Sequence, residues 1–165
     1  QDCADPNNYN DRILPEVTAD VTYLACFGNC SGDGTGECPS DIVTYNVTFS
    51  VNTENITVGE NGMFAGGGVL GGANALALSD DDGDGVWEGT IPMEENTEGN
   101  YAYFNSPNSS DDWGTKENLE GQDCADPANY NDRILAPVVE DTVLLACFGF
   151  CSGDGTGVCL SLIHI

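Results

Sequence analysis

The segment Ser79-Asp80-Asp81-Asp82-Gly83-Asp84-Gly85-Val86-Trp87-Glu88 sets carboxylates on alternating residues ahead of a glycine. Asp80, Asp82 and Asp84 take the first, third and fifth places of a calcium loop, Gly85 supplies the sharp turn at the sixth, and the Val86 carbonyl can serve at the seventh. The glutamate that closes an EF-hand loop at its twelfth place is missing, because Ile91 stands there, and Glu88 is the substitute. Three acidic side chains this close repel one another unless a cation neutralises them. Calcium is therefore the expected cofactor, and a solvated acidic turn is the plain alternative.

Cysteine is the second chemical feature. Cys3, Cys26, Cys30 and Cys38 recur with the same spacing as Cys124, Cys147, Cys151 and Cys159. Eight cysteines with a single histidine fit disulfides made in an oxidising compartment better than zinc sites. The spacing also lacks the close C-x₂-C knuckles of a four-cysteine metal site. Four cysteines allow three connectivities, and the expected one joins sequence neighbours: Cys124–Cys147 and Cys151–Cys159, with the same in the first copy. Each bridge would stabilise by roughly 3 kcal/mol in the chain-entropy model. Between two of these cysteines, the loop around Asp154 reads as a disulfide-closed turn.

Candidate glycosylation sites are the N-x-[ST] sequons at Asn29, Asn46, Asn55 and Asn108. Asn46 falls on the polar face of a strand, where a glycan leaves the core undisturbed. The second-copy equivalent of Asn29 is Phe150, which carries no sequon. Asp141-Thr142-Val143 makes Thr142 a further candidate for bacterial O-glycosylation. Catalysis finds no support, since no Ser-His-Asp or Cys-His set can be built without a histidine in the modules and the cysteines are committed to bridges. Nothing marks out a carboxylate pair for glycoside hydrolysis. Arg133 is expected to form a structural ion pair with Asp132 or Asp126.

These residues need a scaffold, and composition bounds it. The chain has 165 residues, 40% of them apolar, which is enough for a real core. Against 28 Asp and Glu stand only three cationic side chains, for a formal net charge of −25. Nucleic acid and anionic membrane surfaces are excluded as partners, because both need a basic face. No apolar run approaches the roughly 20 residues that span a bilayer. The chain reads as a piece of a longer secreted protein, extracellular or at the cell surface.

An internal repeat sets the organisation. Gln1–Cys38 aligns without a gap on Gln122–Cys159, with 28 of 38 positions identical at an offset of 121 residues. That offset is the size of a domain, so the protein is expected to be a string of modules and adjacent copies are the expected partners. Residues 1–38 read as the C-terminal part of a preceding repeat and 39–159 as one full repeat. The linker Pro39-Ser40 is too short to let neighbours swing far. Residues 160–165 break the repeat and look like a translated sequencing adaptor, a tail foreign to the fold.

Within the repeat, Val43, Tyr45, Val47, Phe49 and Val51 alternate with polar residues, which is the period of a half-buried strand. Further strands are expected at Gly62–Ala65, Ala75–Leu78, Val86–Met93, Asn100–Phe104, Arg133–Leu135 and Thr142–Phe148. Trp87 falls on the apolar side of its strand and belongs to the core. No stretch holds a helical period. The fold class is all-β, a disulfide-stapled β-sandwich (starch-binding or Ig-like) in tandem repeat.

Val47–Val51, Ala65–Gly67, Ser79–Trp87, Tyr101–Phe104, Trp113 and Cys147–Cys151 together make the unit resemble the starch-binding-like β-sandwich modules of large secreted bacterial proteins. In sugar-binding members of that group, exposed tryptophans stack on glucose rings. The segment 68–74, where one would stand, carries no aromatic residue here, so Trp113 is the stacking candidate that the resemblance leaves. The expected function is structural, a segment of an extracellular tandem-repeat filament or adhesin stalk stabilised by calcium and disulfides and carrying covalent glycans. It resembles in kind the glycosylated filaments of environmental water samples. The alternative is a carbohydrate-binding module of a secreted multidomain protein.

Overall fold

The structure is a computed structural model that describes residues 4–5, 7, 11–12, 16–20, 42–151 and 159. The expectations for Cys3, Cys26, Asn29, Cys30, Cys38, the loop around Asp154 and the 160–165 tail lie outside the described residues. The chain divides into two compact units, Gln1–Ile42 and Val43–Ile165. In the first, β1 (Ala4–Asp5) pairs antiparallel with β2 (Asp11–Arg12), with Ala4 opposite Arg12 and Asp5 opposite Asp11.

The second unit is nearly all β. Its strands are β3 (Thr44–Asn52), β4 (Met63–Gly67), β5 (Gly71–Ala77), β6 (Val86–Glu94), β7 (Gly99–Asn105), β8 (Ala125–Asp126), β9 (Asp132–Leu135) and β10 (Thr142–Cys147), with one 3₁₀ turn, η1 (Trp113–Thr115). They form a three-stranded sheet in the order β10-β3-β6 and a five-stranded sheet in the order β5-β4-β7-β9-β8. The alternation read along β3 holds in part: Val47, Phe49 and Val51 are fully buried while Thr44 and Asn46 are exposed, but Val43 lies before the strand and is exposed, and Ser50, expected on the wet face, is buried. β10 lies parallel to β3, from Thr142 opposite Val47 to Cys147 opposite Asn52, so the last strand among the unit's described residues returns to its first. A parallel pair needs a long crossover, and here the rest of the unit supplies it.

The two sheets share one core. Val47, Phe49 and Val51 of β3, Met93 of β6 and Ala146 of β10 pack with Met63 and Ala65 of β4, Tyr101 and Tyr103 of β7 and Leu135 of β9. Phe49 meets Tyr101 edge to face at 5.1 Å between ring centroids, and Tyr101 meets Tyr103 in the same way at 5.7 Å. Such pairs add about 0.5–1.5 kcal/mol beyond burial. The Tyr103 hydroxyl crosses the core to donate to the carbonyls of Ser50 (3.2 Å) and Leu144 (3.3 Å), tying β7 to both β3 and β10. Trp87 is half-buried and packs against this core.

Glycines set the turn between β4 and β5. At Gly68 (φ +45°) a side chain would run into the Asn100 carbonyl, and at Gly66 into that of Gly72. The register shifts between Ala65 and Gly67, and the hairpin closes with Gly67 opposite Gly71. β5 therefore begins before Ala75, where alternation first becomes visible. β8 and η1 went unforeseen because neither is long enough to show a period.

Another expectation is corrected. The bridges join Cys124 to Cys151 and Cys147 to Cys159, not sequence neighbours. A tight turn follows β10: the Phe150 N–H donates to the Cys147 carbonyl at 3.1 Å, and Gly149 has a φ of +75°. Gln122 then holds the returning chain, donating to the Gly149 carbonyl (2.9 Å) and accepting from the Cys151 N–H (2.8 Å). Cys151 thereby reaches Cys124, and Cys147 is left to Cys159.

Candidate functional site

Three side-chain groups in the second unit could carry chemistry. The first is the acidic loop between β5 and β6. Its base is closed by reciprocal backbone bonds between Ser79 and Glu88, at 2.9 and 2.8 Å. Gly83 (φ +74°) and Gly85 (φ +84°) turn the chain where other residues would be strained. Asp80 accepts from the N–H groups of Asp84 (3.1 Å) and Gly85 (3.2 Å), and Asp84 accepts from that of Val86 (2.8 Å). One carboxylate oxygen from each of Asp80, Asp82 and Asp84 lies within 4.8 Å of the others. The Glu88 carboxylate is outside this group; Glu88 belongs to β6, whose first residue is Val86, and its backbone closes the loop's base. The three aspartates offer carboxylate oxygens, the donor type of hard divalent cations.

The second group is a buried ion pair. Arg133 is 5% exposed and Glu117 2%. Nη2 and Nε of Arg133 donate to the two oxygens of Glu117 at 2.7 and 2.8 Å. Glu117 also accepts from the backbone N–H groups of Tyr103 (3.0 Å) and Gly149 (2.9 Å). Nη2 of Arg133 also donates to the carbonyls of Cys147 (2.9 Å) and Phe150 (3.1 Å), Nη1 faces the Cys124 sulfur at 3.6 Å, and the guanidinium lies 5.4 Å from the Tyr103 ring centroid. Burial alone would lower the Arg133 pKa, but the Glu117 carboxylate outweighs it and holds the pKa above its ordinary value. The pair joins β7, β9 and the disulfide-closed turn.

Its partner corrects the expectation of Asp132 or Asp126. Neighbouring strand residues point to opposite faces, so Asp132 turns away from Arg133 and pairs with Lys116 at 2.6 Å. Asp126 caps its own turn, accepting from Asn129 (2.7 Å) and from the Ala128 N–H (2.9 Å); these bonds lower its pKa. Glu117 was missed because its role depends on pairing across the sheet. The scarcity of cations was the available signal, since Lys116 and Arg133 are the only two in the repeat.

The third group is a cleft of about 740 Å³ whose lining includes Gly67, Trp113, Lys116, Tyr130, Asn131 and Asp132. Trp113 is 50% exposed and rests edge-on against Phe104, with 5.8 Å between centroids. Tyr130 is 87% exposed. Lys116 donates to both the Tyr130 carbonyl and Asp132, at 2.6 Å each. Trp113 was a candidate from sequence; Tyr130 was not, and its presence in both copies as Tyr9 and Tyr130 was the available signal.

The structure also sorts the sequons. Asn46 is exposed on β3, with its backbone N–H held by Asp141 at 2.7 Å. The side-chain amide of Asn55 donates to the Phe148 carbonyl at 2.8 Å, and that of Asn108 to Asp112 at 3.3 Å. Thr142 is half-buried, and its hydroxyl donates to the Glu140 carbonyl at 2.9 Å. Among the described residues no helix is long and apolar enough to cross a membrane. No protein-family model matches the chain, and a comparison with curated proteins finds no match either.

Proposed function

We propose that the chain is a segment of an extracellular tandem-repeat filament or adhesin stalk, built from disulfide-stapled sandwich modules of the starch-binding-like type. The observation that carries this reading is a repeated pairing. Ala4 opposite Arg12 and Asp5 opposite Asp11 in the first unit recur, 121 residues on, as Ala125 opposite Arg133 and Asp126 opposite Asp132 in the second. A sequence repeat that returns as the same backbone register in a separate compact unit is what a string of modules requires.

In this reading calcium sits on Asp80, Asp82 and Asp84, where it neutralises three like charges and stiffens the β5–β6 connection. Glycan is carried first at Asn46, whose neighbouring sequons already spend their amides on internal acceptors. In the same reading the segment is secreted and has a structural rather than a catalytic role. An array of three copies of residues 39–159 is expected to scatter X-rays as a rod in calcium and to loosen on addition of EGTA, with an Asp82→Asn array indifferent to the chelator. A flexible-chain profile in calcium argues against a stalk, and identical profiles with and without EGTA argue against the metal.

A carbohydrate-binding role is the second reading, favoured by the Trp113 cleft.

A further inference from the structure

We propose that the Cys124–Cys151 bridge is a thiol–disulfide exchange site, at which an external thiolate bonds to the Cys151 sulfur and releases Cys124 as a thiolate held by Arg133. It makes this bridge reactive rather than a staple, and it holds or fails without the filament reading.

The surroundings of the four sulfurs are the first reason. Both sulfurs of Cys124–Cys151 meet N–H donors: Nη1 of Arg133 faces the Cys124 sulfur at 3.6 Å, and the Cys124 N–H donates to the Cys151 sulfur at 3.0 Å. Those of Cys147–Cys159 meet oxygens. The Cys147 sulfur faces the Phe148 carbonyl at 3.9 Å, and the Cys159 sulfur faces the Asn52 carbonyl at 3.7 Å and the Asn55 side-chain oxygen at 3.9 Å. N–H groups and cations stabilise a thiolate, whereas burial in apolar surroundings disfavours it. Cys147 is fully buried, while Cys124 and Cys151 are both half-buried and within reach of solvent.

The same contacts set the direction of exchange. One sulfur takes the incoming group and the other leaves with the electron pair of the broken bond, and the better-stabilised thiolate leaves faster. Arg133 faces Cys124, so Cys124 leaves and Cys151 is attacked. Glu117 tempers that cation, but its two oxygens lie against Nε and Nη2, and Nη1 is the nitrogen that faces the sulfur. In the step itself, a thiol first gives its proton to water. Its sulfur then bonds to Cys151 as the Cys124–Cys151 bond breaks, and the electron pair passes to Cys124. Attack by Cys124 on the mixed disulfide expels the thiolate and restores the bridge.

Opening this bridge leaves the turn in place, which is the second reason. Gln122 accepts from the Cys151 N–H (2.8 Å) and donates to the Gly149 carbonyl (2.9 Å). Glu117 accepts from the Gly149 N–H (2.9 Å), Arg133 donates to the Phe150 carbonyl (3.1 Å), and Cys147–Cys159 stays closed. Cys151 therefore remains beside Cys124 after the bond opens, so the exchange is reversible without unfolding.

The test gives the full, oxidised chain a short exposure to reduced glutathione without denaturant. After an acid quench, free thiols are capped with N-ethylmaleimide and each cysteine is read by peptide mass spectrometry. Cys124 and Cys151 are expected to open at glutathione concentrations that leave Cys147 and Cys159 bridged, with the mixed disulfide on Cys151 and maleimide on Cys124. Thermal unfolding of the exposed chain should stay cooperative. The double variant Glu117→Leu/Arg133→Leu removes the cation without stranding its partner and should exchange roughly tenfold more slowly. The parent chain decides by itself: opening of Cys147–Cys159 first, glutathione on Cys124 in place of Cys151, or exchange only after unfolding overturns the proposal. An unchanged rate in a folded double variant overturns it too.

Discussion

Glu117 and Arg133 carry opposite charges into a buried region, where backbone N–H groups of Tyr103 and Gly149 meet the carboxylate and the Cys147 and Phe150 carbonyls meet the guanidinium. A buried pair of this kind adds little net stability against an apolar substitute, but removing one member strands the other. Glu117→Ala is therefore expected to destabilise the chain by about 3–5 kcal/mol in urea unfolding, and the double variant Glu117→Leu/Arg133→Leu to recover much of that loss. If the double variant is as unstable as the single, the pair does more than satisfy its own charges. Sequence indicated that Arg133 was structural, yet it named the wrong carboxylate. Proximity along a strand misleads because side chains alternate, and the true partner stands on a separate segment held beside β7 by the Glu117 N–H on the Tyr103 carbonyl (3.0 Å).

The strands themselves were more legible than their connections. β3, β6, β7 and β10 were read to within about two residues at each end, because each is long enough to show its alternation against a half-wet environment. What could not be read was which strand meets which. The parallel return of β10 to β3 and the turn that carries Cys151 to Cys124 are long-range facts with no local signature, and the expected disulfide pairing failed for that reason. The acidic loop was visible as a spacing of three aspartates, and they do converge, whereas Glu88 was committed to β6. The tyrosines that join the two sheets lead to a pH prediction. Burial pushes the Tyr101 hydroxyl up to about 12 and that of Tyr103 well above its ordinary value. A folded-state pKa raised above the unfolded value near 10 gives stability that is complete below about pH 10 and lost as pH rises toward the folded value. Tyr101 alone would then cost the fold about 2 kcal/mol by pH 12, at ~1.4 kcal/mol per unit of pKa difference. Thermal unfolding followed by circular dichroism should show the melting temperature falling from about pH 10 upward, and less steeply in Tyr101→Phe. A melting temperature flat from pH 9 to 12 would mean that these hydroxyls are not buried in solution.

At the scale of the second unit, β3 and β10 lie side by side, the two disulfides among the described residues and the buried ion pair gather around the turn after β10, and the register of β8 on β9 matches that of β1 on β2 in the first unit. The nine-residue strands β3 and β6 are about 30 Å long at ~3.3 Å per residue, so a proposed end-to-end stack of such modules with their connecting loops would repeat at about 40 Å. Electron microscopy of the native secreted material is the most direct check. Fibres with an axial period of about 40 Å are expected if modules stack end to end in a stalk. Dispersed, flexible particles without a period would contradict that account and would leave the Trp113–Tyr130 cleft as the feature around which the protein's role must be rebuilt.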